Sequence, residues 1–205
     1  GAGTPGVEFA RRHGFALGNL EVMRVLRLAV ADVLDDLTPD LGDYTLRSWV
    51  GPVPEDLLQA WAEMDASLST EAPTGNLQVE AQVADTAAVR EGEQLLVAQG
   101  RTAYRAVALA PDGTAVGYTE VVTTVHEPGR AYQWGTLVHG DHRGHRLGLA
   151  LKVAALRLLQ SSEDPAGPVD HVLTWNAESN AHMVGVNERL GFVPVERCGV
   201  FERRS

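Results

Sequence analysis

Apolar and polar positions alternate or recur at helical spacing along most of the chain. The segment "YTLRSWV" (44–50) alternates as a half-buried strand does, and "PEDLLQAWAEMDASL" (54–68) places Pro54 and acidic residues before an apolar face of helical period. A more ambiguous helical pattern covers residues 83–99. These patterns predict a strand followed by two helices.

Three apolar segments follow, separated by turn sequences. "TAYRAVALA" and "AVGYTEVVTTV" flank a Pro-Asp-Gly turn, and "AYQWGTLVH" comes after Glu-Pro-Gly, which predicts a three-stranded antiparallel meander. A glycine-containing loop, a helix ending near Leu159, the strand "DHVLTWN", the helix "NAHMVGVNERLG" and a last strand complete the pattern. The predicted fold class is α/β (α+β), with a mixed, mostly antiparallel central sheet flanked by helices.

A junction of helix, glycine and strand occurs twice, as "RRHGF" (11–15) and "ERLGF" (188–192). In both, the glycine follows the last helical residues as a C-cap and the phenylalanine opens a strand. We therefore interpret residues 1–31 as the closing helix and strand of an upstream homologous domain, present here as a fragment. Residues 32–43, acidic with Pro and Gly, are predicted to be a linker, and residues 44–205 the main domain. Chance similarity of two short junctions is the alternative.

Composition narrows the range of partners. The 205 residues are 44% hydrophobic and carry a formal net charge of -10, which argues against nucleic acid as the main ligand. No apolar run approaches the roughly 20 residues needed to cross a bilayer, and no signal peptide is recognisable, so we expect a cytoplasmic protein without a membrane partner. The acidic exterior favours a cationic substrate such as an amine, although charge for solubility explains it equally well.

The loop "HGDHRGHRLGLALK" (139–152) carries the densest candidate chemistry. Unpaired N–H groups and the positive end of the helix dipole make a glycine-containing turn that leads into a helix a natural cradle for an anion such as pyrophosphate. Arg143 and Arg146 add positive charge there. Two other interpretations remain: a metal site built from His139, His142 and His145, and a plain solvated loop that caps a helix.

The order of elements around this loop resembles the cofactor-binding core of the GNAT-superfamily acyltransferases. Their signature after a central strand is [QR]-x-x-G-x-[GA]; here Arg143 fills the first position and Gly148 the last, while Arg146 stands where the middle glycine is usual. The resemblance covers roughly residues 44–205. The repeated junction is further similar to that of tandem members, which have two such domains in one chain. The resemblance thus implies a GNAT fold with splayed central strands and an upstream homologous domain as partner.

The resemblance also implies that the cofactor is acetyl-CoA. Backbone groups of Leu137 and Val138 would pair with its pantetheine arm, and the loop from Arg143 to Leu149 would hold its pyrophosphate. Asn176 would reach the cofactor, and Asn180 would begin the helix that flanks it. The implied cofactor-binding residues are Leu137, Val138, Arg143, Gly144, His145, Arg146, Leu147, Gly148, Leu149, Asn176 and Asn180.

Two positions are candidates for catalysis. Glu120, on the middle strand of the meander, could act as a base directly or through water, or could be an ordinary exposed carboxylate. Asn187 stands where family members often carry a tyrosine that protonates the leaving thiolate, and an amide cannot donate a proton in this way. The expected function is direct acetyl transfer to a primary amine, a small molecule or a peptide. The alternative is a catalytically silent domain that binds acyl-CoA or supports its partner domain.

The acceptor pocket is expected near the first helices. Its candidate lining residues are Trp61, Asp65, Glu71 and Thr74. Tyr132, Trp134 and Trp175 lie on central strands amid apolar residues, and we expect them to fill the core.

Overall fold

The computed structural model describes residues 3–28, 34, 37, 39–71, 73 and 75–203, with the side chain of residue 69 left out. Five of the twelve residues of the predicted linker 32–43, residues 1, 2 and 29–31 of the predicted fragment 1–31, and Thr74 therefore lie outside the described residues. Within them the strands are Ala16–Arg27 (β1), Thr45–Val50 (β2), Arg101–Leu109 (β3), Ala115–Thr124 (β4), Arg130–Val138 (β5), His171–Ala177 (β6) and Val193–Glu202 (β7). The helices are Pro5–Arg12 (α1), Leu58–Glu71 (α2), Thr86–Ala98 (α3), Leu147–Ser161 (α4) and Ala181–Arg189 (α5).

Local sequence explains where these helices begin. A short 3-10 turn, Glu55–Leu57, leads into α2 directly after Pro54. Asp85 caps α3 by accepting from the N–H groups of Ala87 and Ala88, and Asn180 caps α5 by accepting from Met183. The helical pattern at 83–99, ambiguous in sequence, is thus confirmed as α3.

The strands form one seven-stranded sheet in the order β2-β3-β4-β5-β6-β1-β7. Every neighbouring pair is antiparallel except β5 and β6, which run parallel. The predicted meander is confirmed as β3-β4-β5. The structure therefore has the predicted mixed, mostly antiparallel sheet flanked by helices.

The first strand lies inside the sheet. Glu21–Arg27 pair with β6 and Ala16–Val25 pair with β7, so β1 joins the last strand to the rest of the molecule. Both helix-glycine-strand junctions form as the sequence predicts, because Gly14 and Gly191 adopt φ of 78° and 87° directly after α1 and α5. Assignment of residues 1–31 to an upstream domain stays a prediction.

Apolar residues on the two faces of the sheet form two cores. Leu151 and Leu156 of α4 pack with Tyr104 and Val121 on one face. Trp61 and Met64 of α2 pack with Tyr118 and Leu137 on the other. The sheet is therefore the middle layer, with α4 and α2 on opposite sides of it. Among the described helices, none combines the length and apolar character that crossing a bilayer requires.

Candidate functional site

The two parallel strands, β5 and β6, separate after the first three residues of each. β5 pairs with β6 only from Arg130 to Tyr132, opposite His171 to Leu173. On its other side β5 stays paired with β4 as far as Val138. The Thr174 hydroxyl still donates to the Gln133 carbonyl at 3.3 Å, but backbone groups of 134–138 have no described partner in β6, and a gap opens between the two strands.

The N-terminus of α4 lies at this gap. A 3-10 turn, Gly140–His142, and the extended residue Arg143 precede Arg146, whose φ of 58° is left-handed. No described side chain caps α4, so its first N–H groups and the positive end of its dipole are available to an anion. A Cβ atom at Gly148 would meet only Cγ2 of Val138, at 4.0 Å, so the backbone there is open to close approach.

A cleft of about 410 Å³ occupies the mouth of the gap. Five predicted cofactor-binding residues line it: Leu137, Val138, Arg143, Gly148 and Asn180. Leu68 and Glu71 of α2 and His182 of α5 complete part of the wall. The cleft thus combines an unpaired strand edge, a helix N-terminus and a guanidinium group, which together suit a phosphorylated ligand with an extended arm.

Arg143 and Glu71 meet across this cleft. Nη2 of Arg143 lies 2.6 Å from Oε2 of Glu71, and its Nε donates to the carbonyl of Val138 at 3.1 Å. Glu71, predicted to line the acceptor pocket, is placed by the last turn of α2 in this cleft beside the N-terminus of α4, and its acceptor role stays a prediction. The Glu71 carboxylate therefore pairs with the Arg143 guanidinium, the group that is expected to bind phosphate.

The other predicted cofactor-binding residues are distributed around the cleft. Gly144, His145 and Arg146 line a neighbouring groove with Tyr44 and Pro111. The side chains of Leu147 and Leu149 belong to the core, so only their backbone could serve a ligand. Asn176 is the next-to-last residue of β6 and accepts a hydrogen bond from Asn187.

A second cavity of about 410 Å³ lies further along α2 and β5. Trp61, Asp65, Glu120 and Trp134 contribute to its wall, with Glu93 and Arg105. Asp65 is one turn before Leu68 on α2, and Trp134 is two residues before Thr136 on β5, so neighbouring residues of the same two elements line both cavities.

Glu120 faces this second cavity and is 9% exposed, which contradicts its interpretation as an exposed carboxylate. Its Oε2 accepts from Nε of Arg105 at 2.5 Å, and Arg105 also contacts Glu93 at 3.1 Å. Burial raises the pKa of Glu120 above its usual value, while Arg105 opposes the rise. A buried carboxylate with a raised pKa suits a general base.

Comparisons with known proteins agree with this geometry. A tandem GNAT protein from the clavulanic acid biosynthesis pathway is 32% identical, with a TM-score of 0.75, and the match covers 96% of this chain and 57% of that one. The chain belongs to the GNAT superfamily. A GCN5-related N-acetyltransferase from Sphaerobacter thermophilus matches at 16% identity and a TM-score of 0.62, over 96% of this chain and 55% of that one.

A GCN5-related N-acetyltransferase from Kribbella flavida likewise shares the GNAT fold, at 16% identity and a TM-score of 0.54, over 96% of this chain and 63% of that one. No protein-family model and no curated protein sequence matches the chain. The chain thus spans little more than half the length of the tandem GNAT protein.

The three histidines of the loop that precedes α4, His139, His142 and His145, contact aromatic and acidic side chains. The Tyr44 hydroxyl lies 2.9 Å from Nδ1 of His142, and its ring packs on His145 with centroids 5.1 Å apart. His139 lies 3.9 Å from Glu71. In the part of the chain that the structure describes, no group of three or more histidine, cysteine, aspartate or glutamate residues has metal-site geometry.

The aromatic residues of β5 and β6 are more exposed than the apolar sequence around them predicts. Trp134 is 42% exposed and Trp175 39%, so the expectation that they fill the core is wrong. Tyr132 is half-buried and stacks on Trp175. A register shift in β5, between the pairs Thr119–Thr136 and Val121–Gln133, includes Trp134, which lines the second cavity instead of packing in the core.

Asn187, which by resemblance stands where GNAT members often carry a tyrosine, is fully buried. Its Oδ1 accepts from Nζ of Lys152 at 2.9 Å, and its Nδ2 donates to Oδ1 of Asn176 at 2.6 Å. Sequence reasoning missed Lys152 and the Arg105–Glu93 contacts. The available signal for Lys152 was a charged residue among the apolar neighbours of α4. The available signal for Arg105 was its predicted position on the meander strand next to that of Glu120, which is its register partner.

Proposed function

We propose that this chain is an acetyl-CoA-dependent N-acetyltransferase domain that transfers the acyl group directly to a primary amine. The observation that carries the proposal is the gap between β5 and β6 with the uncapped N-terminus of α4 at its mouth. The tandem GNAT relative and the other acetyltransferases support acyl transfer in general.

The residues present fit acetyl-CoA. Backbone groups of Leu137 and Val138 would pair with the pantetheine arm, as an added strand would. The N–H groups at the start of α4, with Arg143, would hold the pyrophosphate. Bound there, acetyl-CoA supplies the acyl group as a thioester.

Glu120 and the second cavity would receive the amine. Carboxylates at Asp65 and Glu120 attract a cationic acceptor, and the rings of Trp61 and Trp134 give it an apolar wall. Glu120 would accept the proton that the amine loses as its nitrogen bonds to the acyl carbon, directly or through water. The carbon–sulfur bond would then break, and the thiolate would take a proton from solvent, because the buried Asn187 amide is far too weak an acid to protonate it.

Titration with acetyl-CoA and free CoA, followed by thiol release over a panel of amines, tests the proposal. We expect binding and turnover with at least one amine. Arg143→Ala combined with Gly148→Val should abolish measurable binding, whereas Glu120→Gln should retain binding and lose the acidic limb of the pH-rate profile. The limb is expected because Glu120 must be deprotonated to act, so the rate rises as the pH passes its raised pKa. Unchanged binding by the double variant would refute the cleft assignment.

A specific observation favours the second candidate, a domain that binds acyl-CoA without turning it over. The GNAT tyrosine position is filled by Asn187, which is buried and already hydrogen-bonded on both sides. Binding without turnover on any amine would support this alternative. The proposed partner in either case is an upstream homologous domain.

A further inference from the structure

Lys152 is the only lysine in the sequence, and it is buried inside the molecule. It lies on α4, 1% exposed, with Nζ 5.9 Å from the centre of the Phe192 ring. Its described hydrogen-bond acceptor is Oδ1 of Asn187. An ammonium group in such a position costs free energy unless it is paired, so a role other than stability is indicated.

No counter-ion offsets this burial among the described residues. α5 carries His182, Glu188 and Arg189, which are all exposed, and β1 carries the buried Arg24. None of them forms an ion pair or hydrogen bond with Lys152. Burial alone lowers the pKa of Lys152 to about 7, so the group changes charge near neutral pH.

A chain of hydrogen bonds runs from Lys152 to the wall of the gap. The protonated amine can only donate, so it fixes Oδ1 of Asn187 towards itself. The amide nitrogen of Asn187 then points at Oδ1 of Asn176, 2.6 Å away. This leaves Nδ2 of Asn176, for which no described residue is an acceptor, as the free end of the chain.

Asn176 lies where that free end matters. It is the next-to-last residue of β6, beyond the three pairs that join β6 to β5, and therefore on the side of the gap opposite Leu137 and Val138. An N–H donor there could bond a carbonyl of the pantetheine arm or of the acyl group. An exposed carbonyl oxygen in its place would repel the same acceptor.

We propose that Lys152 is a positioning residue for acyl-CoA: through Asn187 it holds the amide of Asn176 with its N–H donors towards the gap. The inference rests on the proposed function, since it assigns the gap to acyl-CoA. Loss of the proton from Lys152 removes the constraint, because a neutral amine can accept as well as donate. The side-chain amides of Asn187 and Asn176 can then rotate by half a turn, so that Asn176 directs its oxygen towards the gap instead of its N–H donors.

The single lysine makes the titration directly measurable. Protein labelled with ¹³C only at lysine gives one side-chain signal set, whose pH dependence reports Lys152 and nothing else in the chain. Acetyl-CoA affinity is measured by calorimetry over the same range, from pH 6 to 8.5, for the wild type and for Lys152→Met. The phosphates of acetyl-CoA and every ionisable group other than position 152 are common to both proteins, so the difference between the two isolates Lys152.

We expect the wild type to bind acetyl-CoA about fivefold to tenfold more tightly than Lys152→Met at pH 6, the effect of one oriented hydrogen bond. The difference should disappear by pH 8.5, with a midpoint that matches the lysine signal. A purely structural role for Lys152 would weaken binding equally at every pH. Equal affinities throughout, or a difference that does not change with pH, would overturn the inference.

A second variant protects the test against a folding defect at position 152. In Asn187→Asp the carboxylate accepts from both Lys152 and Asn176, so Lys152 should stay charged to higher pH while Asn176 turns its oxygen to the gap. We expect weakened binding with the lysine titration shifted upward, and wild-type affinity would refute the amide-orientation argument. Failure of the wild type itself to bind acetyl-CoA would instead overturn the proposed function, and this inference with it.

Discussion

Glu71 should compete with the ligand for Arg143, so Glu71→Gln is expected to tighten CoA binding. Their ion pair is short, 2.6 Å, but the two side chains are 29% and 52% exposed, which places its contribution at about 0.2–1 kcal/mol. Binding of a phosphate at Arg143 must break that pair and bring negative charge towards the carboxylate. Removal of the competition should therefore raise CoA affinity by up to about fivefold.

Isothermal titration of CoA at low and at high salt measures this effect. The gain should shrink as salt is added, because exposed charges are screened. Glu63→Gln is the matched control, since Glu63 lies on the same helix, exposed, and is bonded to Gln59 on the surface rather than to the loop. The reasoning is refuted if Glu71→Gln binds CoA no more tightly than the wild type, or if Glu63→Gln gives the same gain.

Three further predictions concern stability. Arg146→Gly should raise the free energy of unfolding, measured in urea, by roughly 0.5 kcal/mol and weaken CoA binding. A left-handed φ costs a residue with a side chain about 1–2 kcal/mol, and the greater entropy of glycine in the unfolded chain cancels part of the gain. A loss of stability would contradict this reasoning. Gly135→Ala should lower the free energy of unfolding by about 1–3 kcal/mol, because the new Cβ would lie 2.7 Å from the Tyr118 hydroxyl. Gly185→Ala lies in α5 with open space around the new Cβ and should raise the free energy of unfolding by up to about 1 kcal/mol. Similar effects at the two sites would be inconsistent with the packing. Between pH 7 and 10 the unfolded chain holds a proton on Lys152 that the native state has lost, so unfolding free energy should rise with pH, by up to about 1.4 kcal/mol per unit more than in Lys152→Met; parallel curves would show that the native lysine keeps its ordinary pKa.

Local patterns were sufficient for the strands and helices and for the loop that leads into α4. Alternation placed β2, apolar segments between turn sequences placed β3 to β5, and the glycine-containing loop 139–148 placed the N-terminus of α4, because these features depend on neighbours in sequence. The repeated glycine junction predicted both strand starts for the same reason. Family resemblance then supplied the assignment to acetyl-CoA, which the residues alone left open.

Long-range features escaped sequence reasoning. The sequence around Trp134 predicts a core residue, but Trp134 lies within the register shift of β5 and lines the second cavity, 42% exposed. Glu71 reaches Arg143 only because α2 ends beside the gap, 72 residues earlier in the chain. The burial of Lys152 goes against the usual exposure of charged side chains, and its hydrogen-bond partner Asn187 is 35 residues away in sequence.

The position of β1 in the sheet has a consequence for how the protein is made. Glu21 pairs with Ala177 and Cys198, so the strand leaves the ribosome about 150 residues before either neighbour exists. At roughly 5–20 residues per second it waits about 8–30 s with both edges open. Pairing over such a distance is slow, and a strand with two bare edges readily joins another chain. Yield of native protein should therefore depend on conditions during synthesis, such as temperature and chaperone supply, more than on the stability of the finished fold.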